Sequence, residues 1–243
     1  ACNSVSQSLF NRSFSSTIQK NNTGIAKENA FSIENKDRLL VIGSGVAGCS
    51  AALVAAQTHG IPVTLICAGS QLVDCNSYWA QGGIIYRNYD PAVKDTAESL
   101  CQDIHRAGAG LCNDEAVRKL AAEGPDRVRE ILLDEKNGIF ANVPFDKDKD
   151  GELLCCLEAS HSAPRIIHFA DQSGKAITEH ITRAAASHPL ISICTDSIVT
   201  DLLLSNDSKT CVGVDVMNKE SRLIHAQVST RGVVLASGGL GGI

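Results

Sequence analysis

The stretch from Leu39 to Ala56, LLVIGSGVAGCSAALVAA, constrains this chain most. An apolar run breaks into three spaced glycines and then into an alanine-rich helical pattern. Arg38 to Ile42 reads as a buried parallel strand, and Gly43-Ser44-Gly45-Val46-Ala47-Gly48 has the spacing of a dinucleotide-binding fingerprint. Gly43 permits the tight turn, Gly45 lets backbone N–H groups approach a pyrophosphate, and Gly48 lets the helix pack close to the strand. The phosphates would sit at the N-terminus of that helix, where unpaired N–H groups and the dipole favour an anion. Ile61 to Cys67, IPVTLIC, supplies a second buried strand at the distance a βαβ unit needs. The glycines and serines interrupt the uncharged run at fingerprint spacing, which argues against a membrane span.

With 243 residues and 44% hydrophobic content, the chain can bury a core of one domain or one and a part. A net charge of -5, with Lys and Arg scattered, makes nucleic acid an unexpected partner. The ten cysteines form no C-x-x-C pair and no zinc spacing, so no metal is expected and most read as free thiols in a reducing compartment. Adjacent Cys155 and Cys156 suit alternate faces of a strand.

From Ala1 to Lys27 there is no acidic residue, while Ser and Asn are abundant and Arg12, Lys20 and Lys27 add positive charge. Residues 1–36 therefore read as an organelle transit peptide or, alternatively, a disordered tail. The first option implies an organelle, plastid ahead of mitochondrion; the second implies the cytoplasm. Residues 37–243 are the expected dinucleotide-binding domain.

A ribose-binding carboxylate is expected after the second strand. That strand ends Cys67-Ala68-Gly69, and Asp74, several residues on, reads as a poor substitute. An ordinary NAD-type site is therefore disfavoured. Next, Asn76-Ser77-Tyr78-Trp79-Ala80-Gln81-Gly82-Gly83 suits a loop whose backbone lies against a flat ring. At this point the chain resembles the FAD-dependent superfamily of fumarate reductase, succinate dehydrogenase and L-aspartate oxidase, which carries a similar AQGG loop beside the flavin. Where respiratory members bond FAD covalently through a histidine, this chain has Asn76, so the resemblance implies non-covalent FAD. The superfamily often has Ser-Lys after the second strand; Cys67-Ala68 stands here instead, so a lysine contact to the cofactor is lost or replaced.

Helical periodicity returns over Lys94–Arg106 and Asp114–Asp134, with Asn113 placed as an N-cap. Gly124-Pro125 is expected to split the second stretch into two helices, and the mixed charges to lie on solvated faces. The phrases AGAGLCNDEAV and EGPDRVREIL resemble L-aspartate oxidases in particular. Asp146-Lys-Asp-Lys-Asp-Gly151 imitates a calcium loop, but its twelfth position is Leu157, so a solvated hairpin turn is expected.

Leu157 to His168 gathers Glu158, His161, Ser162, Arg165 and His168 in a short irregular segment. The residues alone leave two readings open: a site for a charged substrate, or a core histidine, a surface ion pair and a turn serine. L-aspartate oxidases carry a similar E-x-x-H-S…R-x-x-H segment, followed by an A-D-x-T-G turn matched here by Ala170-Asp171-Gln172-Ser173-Gly174. The resemblance makes Glu158 the group that orients the substrate ammonium and places His161 and Ser162 in the same catalytic segment. Ser173 keeps a hydroxyl expected to cap the helix over Lys175–Ser187.

Strands are expected over Ile191–Cys194, Ile198–Leu204, Cys211–Met217 and Leu223–Val228, the later ones as a β-meander beside the main sheet, with a last buried strand at Gly232–Ala236. By resemblance, the backbone near Val199 lies against the adenine, and Ala236-Ser-Gly238-Gly approaches FAD again. The combined expectation is an α/β, Rossmann-like FAD-binding domain with a parallel sheet and a meander. Its resemblance covers the N-terminal part of the family's length, before the capping domain and the catalytic arginine. The implied activity is oxidation of L-aspartate to iminoaspartate with oxygen or fumarate as acceptor, feeding quinolinate and NAD synthesis beside quinolinate synthase. Residues 1–243 alone are expected to turn over little. The alternatives are a soluble fumarate reductase-type flavoprotein and a non-catalytic FAD-binding remnant.

Overall fold

The computed structural model describes residues 36–133 and 142–239. The transit-type segment up to residue 35 and the last residues, Leu240 to Ile243, lie outside the described residues. In chain order the elements are β1 (Leu39–Ile42), α1 (Val46–Leu53), β2 (Val63–Ile66), β3 (Gly83–Ile85), α2 (Ala97–Gly108), α3 (Asp114–Val128), β4 (Cys155–Cys156) and β5 (Ile166–His168). Then follow α4 (Ser173–Ser187), β6 (Ile191–Cys194), β7 (Ser197–Leu204), β8 (Cys211–Asn218), β9 (Ile224–Val228) and β10 (Val233–Leu235).

Four strands form a parallel sheet in the order β10-β1-β2-β6, with Leu40 opposite both Val233 and Thr64. Alternation along β1 and β2 sends side chains to two faces. Val41, Val63 and Leu65 pack with Cys49, Ala52 and Leu53 of α1 and Ile177 and Ile181 of α4. Leu40, Ile42 and Ile66 on the other face meet Val214 and Val216 of the expected meander, β7-β8-β9, whose strands are antiparallel. The sheet is thus covered on both faces, as an open parallel sheet requires. Arg38 fastens its N-terminal edge: Nη2 donates to the carbonyls of Val63 and Leu190 (3.0 Å for Leu190) and to Ser192 Oγ at 2.8 Å, and Nε donates to Thr64 Oγ1 at 3.0 Å.

A small antiparallel sheet, β3-β5-β4, pairs Gly83 with His168 and Cys156 with Ile166. Cys155 and Cys156 occupy a strand as expected, and the cysteines among the described residues are all free thiols. The calcium-like stretch is a hairpin: Lys147 bridges Leu153, and Asp148 Oδ1 accepts the N–H groups of Asp150 and Glu152. Among the described residues no group of His, Cys, Asp or Glu could hold a metal ion, and no helix is long and apolar enough to cross a membrane.

Three expectations change. Gly124-Pro125 does not break α3, which runs through both residues. A proline leaves the carbonyl four residues earlier without its N–H, and here that carbonyl, of Ala121, accepts from Arg87 Nη2 at 3.4 Å. Pro125 itself is buried, so packing offsets the lost bond. Ser173 does not cap α4; it is the helix's first residue, and its Oγ accepts the Phe169 N–H at 2.9 Å instead. The stretch expected as a loop holds one 3-10 turn, Asn76–Trp79. As expected, Asn113 Oδ1 caps α3 by accepting the Ala116 N–H at 3.0 Å.

Candidate functional site

The glycine turn leaves β1 at the carboxyl edge of the parallel sheet, where ligands of such sheets bind. Gly43 has φ +104°, and a Cβ there would lie 2.2 Å from the carbonyl oxygen of Ala236, just past β10. A Cβ on Gly48 would lie 1.8 Å from Gly43 O, so α1 can sit this close to the turn only with glycine at that position. Ser44 is buried, its Oγ 3.1 Å from Cys67 Sγ. Burial pushes the neighbouring Cys49 thiol up to about 12, and the sulfurs of Cys75 and Cys67 add to the shift.

Gly45 precedes α1 with no side chain to cap it, and the first turn carries no acid. Val46 and Ala47 are exposed. The Val46 N–H donates to Ser77 Oγ at 3.1 Å, and a Cβ on Gly45 would meet the same hydroxyl at 3.0 Å. This is a cradle of backbone donors, kept open by absent side chains and walled by the Asn76–Trp79 turn. Its donor set fits the pyrophosphate of a dinucleotide.

Asn76 is exposed, and the Trp79 ring stands 76% exposed with its edge toward Tyr78. The Ala80 carbonyl accepts the Gly174 N–H at 3.0 Å, which seats the start of α4 against this turn. Gln81 is exposed; Gly82 follows with φ +69° and Gly83 begins β3. A Cβ on Gly82 would lie 3.4 Å from Glu158 Oε2. Two stretches far apart in sequence, the AQGG loop and the Glu158 segment, are therefore close neighbours. Cys156 Sγ lies 3.8 Å from Glu158 Oε1 and 3.4 Å from Ile166 O; burial pushes its thiol pKa up, and the Glu158 carboxylate adds to the shift. Val199 packs on the cluster around Leu40 and Ile66, across the sheet from α1. Gly238 has φ +83° beyond β10.

The rest of the Glu158 segment is tied to α2. Arg165 is fully buried: Nε donates to Asp95 Oδ1 at 2.9 Å, Nη1 to Asp103 Oδ2 at 2.7 Å and Nη2 to Ser99 Oγ at 3.0 Å. Asp103 Oδ2 also accepts the Ser162 N–H and hydroxyl, each at 2.8 Å. Arg106 Nη2 donates to Asp103 Oδ1 at 2.6 Å and to the Ser160 carbonyl. His161 Nδ1 lies 3.2 Å from Arg165 Nη1; guanidinium only donates, so Nδ1 accepts and the ring proton sits on Nε2. Burial works to raise the Asp103 pKa, but the bonds from Ser162, Arg106 and Arg165 outweigh it and hold the carboxyl well below the usual carboxylate range. His168 Nδ1 pairs with Asp146 Oδ2 at 3.0 Å, which gives this histidine a structural partner.

This network corrects two readings. Arg165 is not a surface ion-pair partner, and the charges of the Lys94–Arg106 stretch are not all solvated, since the side chains of Asp95, just before α2, and Asp103, on it, are each only 2% exposed. A signal was present: Asp95, Ser99 and Asp103 recur every fourth residue, Ser99 and Asp103 on one face of α2 and Asp95 two residues before its start. No local pattern tied that face to an arginine sixty-odd residues later.

The family model described as an FAD binding domain matches residues 38–242. The "L-aspartate oxidase 2-a, chloroplastic" of Nicotiana tabacum is 37% identical over 205 residues, covering 84% of this chain and 30% of that protein. The L-aspartate oxidase of Streptomyces coelicolor is 34% identical, with 84% and 33% covered. The chain thus spans about a third of the length of these relatives. Among solved structures, the Mycobacterium smegmatis Sdh1 complex superposes with a TM-score of 0.73 at 25% identity, covering 84% of this chain and 34% of that one. An E. coli quinol fumarate reductase shares the fold, with a TM-score of 0.74 at 22% identity and 84% and 33% covered. With its glycine turn, its open α1 N-terminus and a family match along nearly all of the described residues, the chain belongs to the FAD binding domain family.

Proposed function

We propose that this chain is the FAD-binding part of an L-aspartate oxidase, with residues 37–243 as the binding domain. The proximity of Glu158 to Gly82 carries the reading, because it puts a carboxylate beside the loop assigned to the flavin ring. When bound, FAD supplies a two-electron acceptor for the hydride of the substrate carbon. Gly43 to Gly48 hold the pyrophosphate, with the Ala47 N–H as donor and the Val46 N–H already bonded to Ser77 Oγ, Val199 lies by the adenine, and Asn76 to Gly83, Ala236 and Gly238 approach the rest of the cofactor. Asn76 cannot form the histidine linkage, so the cofactor is held non-covalently. Glu158 takes the ammonium of L-aspartate, which distinguishes aspartate from succinate by a charge-assisted contact. His161 and Ser162 complete the catalytic segment, with their positions set by Arg165 and Asp103.

The product is iminoaspartate, and the electrons pass to oxygen or fumarate. That product feeds quinolinate formation in de novo NAD synthesis, with quinolinate synthase as partner. Residues 1–36 act as a plastid transit peptide, a reading supported by the chloroplastic relatives.

Two measurements test this. FAD bound to the purified chain should be released into the supernatant by acid precipitation; flavin retained in the pellet refutes non-covalent binding. In a chimera, residues 38–239 replace the matching segment of the tobacco relative. Aspartate should reduce its flavin under anaerobic conditions, and Glu158→Gln should lower kcat/KM for aspartate by about 10- to 100-fold. A chimera that binds FAD but ignores aspartate, or a Gln variant of full activity, refutes the substrate assignment.

A further inference from the structure

We infer that Asp74 and Lys219 together form the adenosine ribose and phosphate subsite of the dinucleotide, at the carboxyl end of β2. The inference rests on the FAD reading and names the groups that replace the carboxylate missing from Cys67-Ala68-Gly69. In a sheet of this kind the ribose lies beyond the second strand. The backbone there is already engaged. The Cys67 N–H donates to Cys194 O at 2.8 Å, Cys67 O accepts the Ser197 N–H at 3.0 Å, and Gly69 O accepts the Asp196 N–H at 2.9 Å. Binding at this edge is left to side chains.

Two charged side chains arrive from elsewhere and bracket Ala68-Gly69. Asp74 folds back onto Gly69, where a Cβ would lie 2.3 Å from Asp74 Cβ, so only glycine admits the carboxylate. Its Oδ2 accepts the Gln71 N–H at 2.8 Å and the Ser70 hydroxyl at 3.3 Å, while Oδ1 meets no donor among the described residues. Lys219 comes from the β8–β9 turn. Its N–H is anchored on Asp196 O at 2.8 Å, and Nζ donates to Ala68 O at 3.2 Å. The ammonium is exposed, and the Ala68 carbonyl takes one of its three donors.

The chemistry is complementary. A free carboxylate oxygen accepts from the vicinal hydroxyls of a ribose, as the usual strand-end acid does. An ammonium held on the Ala68 carbonyl, next in sequence to Gly69, donates to a ribose or phosphate oxygen. The lysine that the superfamily often carries directly after this strand is thus supplied by the meander, a layer away in the fold.

The test titrates the full 243-residue chain with FAD, ADP and 2′,3′-dideoxy-ADP by calorimetry, following ligand-free unfolding in parallel. Asp74→Asn keeps the side chain's size and its turn contacts. It should weaken ADP about tenfold and leave dideoxy-ADP unchanged, because the lost contact is to the hydroxyls. Lys219→Gln should weaken ADP and dideoxy-ADP alike, about tenfold, with a shallower salt dependence, and the added Ala68→Lys should restore binding. Neither variant should move the ligand-free unfolding midpoint. ADP affinity unchanged in both variants overturns the inference, as does an Asp74→Asn loss equal for both nucleotides. A wild-type chain that binds neither FAD nor ADP refutes the FAD reading itself, a distinct outcome.

Discussion

Replacing Asp103 tests the buried network that holds the Glu158 segment. Its carboxylate takes four donors, the Ser162 N–H and hydroxyl, Arg165 Nη1 and Arg106 Nη2, at 2.6 to 2.8 Å. Arg165 faces only Asp95 as its other counter-charge, and its side chain has no exposed surface. Removing one partner of such a pair costs about 3–5 kcal/mol, because the remaining charge stays buried. Asp103→Asn keeps one acceptor oxygen, which can serve the three donors now on Oδ2, while Arg106, 58% exposed, turns to water. Asn should therefore fall near ~3 kcal/mol and Ala near ~5 kcal/mol. The cost should also depend on pH. The folded-state pKa lies below the unfolded value of ~3.9, so this stabilisation is fully present above about pH 5 and is lost as pH falls toward the folded pKa. The gap between wild type and Asp103→Asn should shrink by about 1.4 kcal/mol per pH unit below about pH 4. Urea unfolding at pH 7, 4 and 3 measures it, followed by far-UV circular dichroism because the single Trp79 is largely exposed already. A gap under ~1 kcal/mol at pH 7, or one that stays flat down to pH 3, would refute this account of the network.

Two further perturbations probe the turn and the helix. Gly48→Ala drives a Cβ into the Gly43 carbonyl and should cost about 1–3 kcal/mol while lowering FAD affinity, measured by unfolding and by flavin fluorescence quenching; an unchanged pair of values contradicts the close packing. Arg87→Ala should destabilise by about 1–2 kcal/mol in the native background and by much less beside Pro125→Ala, whose new N–H satisfies the Ala121 carbonyl; additive effects in the double-mutant cycle contradict the pairing.

Local pattern alone determined a great deal of this protein. The strands β1, β2 and β6, the glycine turn, the meander and the Asn113 cap depend on neighbours in sequence and on side-chain period, so residues 38 to 67 and 191 to 228 are legible in the sequence. The calcium-like stretch could be read as a hairpin for the same reason. Expectations failed where a distant group supplied what the local chain lacks. Pro125 reads as a break until Arg87, from a remote loop, fills the carbonyl it orphans. Asp95 and Asp103 read as solvated until Arg165 is found buried between them. Asp74 reads from the sequence as a poor substitute for the strand-end acid and Lys219 carries no signal at all, because only folding brings both against Ala68-Gly69. The sequence determined which backbone would turn around a phosphate, since glycine spacing is a local steric property; only the tertiary structure decided which side chains face that turn, because hydrogen bonds and ion pairs between distant segments form only once the sheet and its two covering layers bring them together.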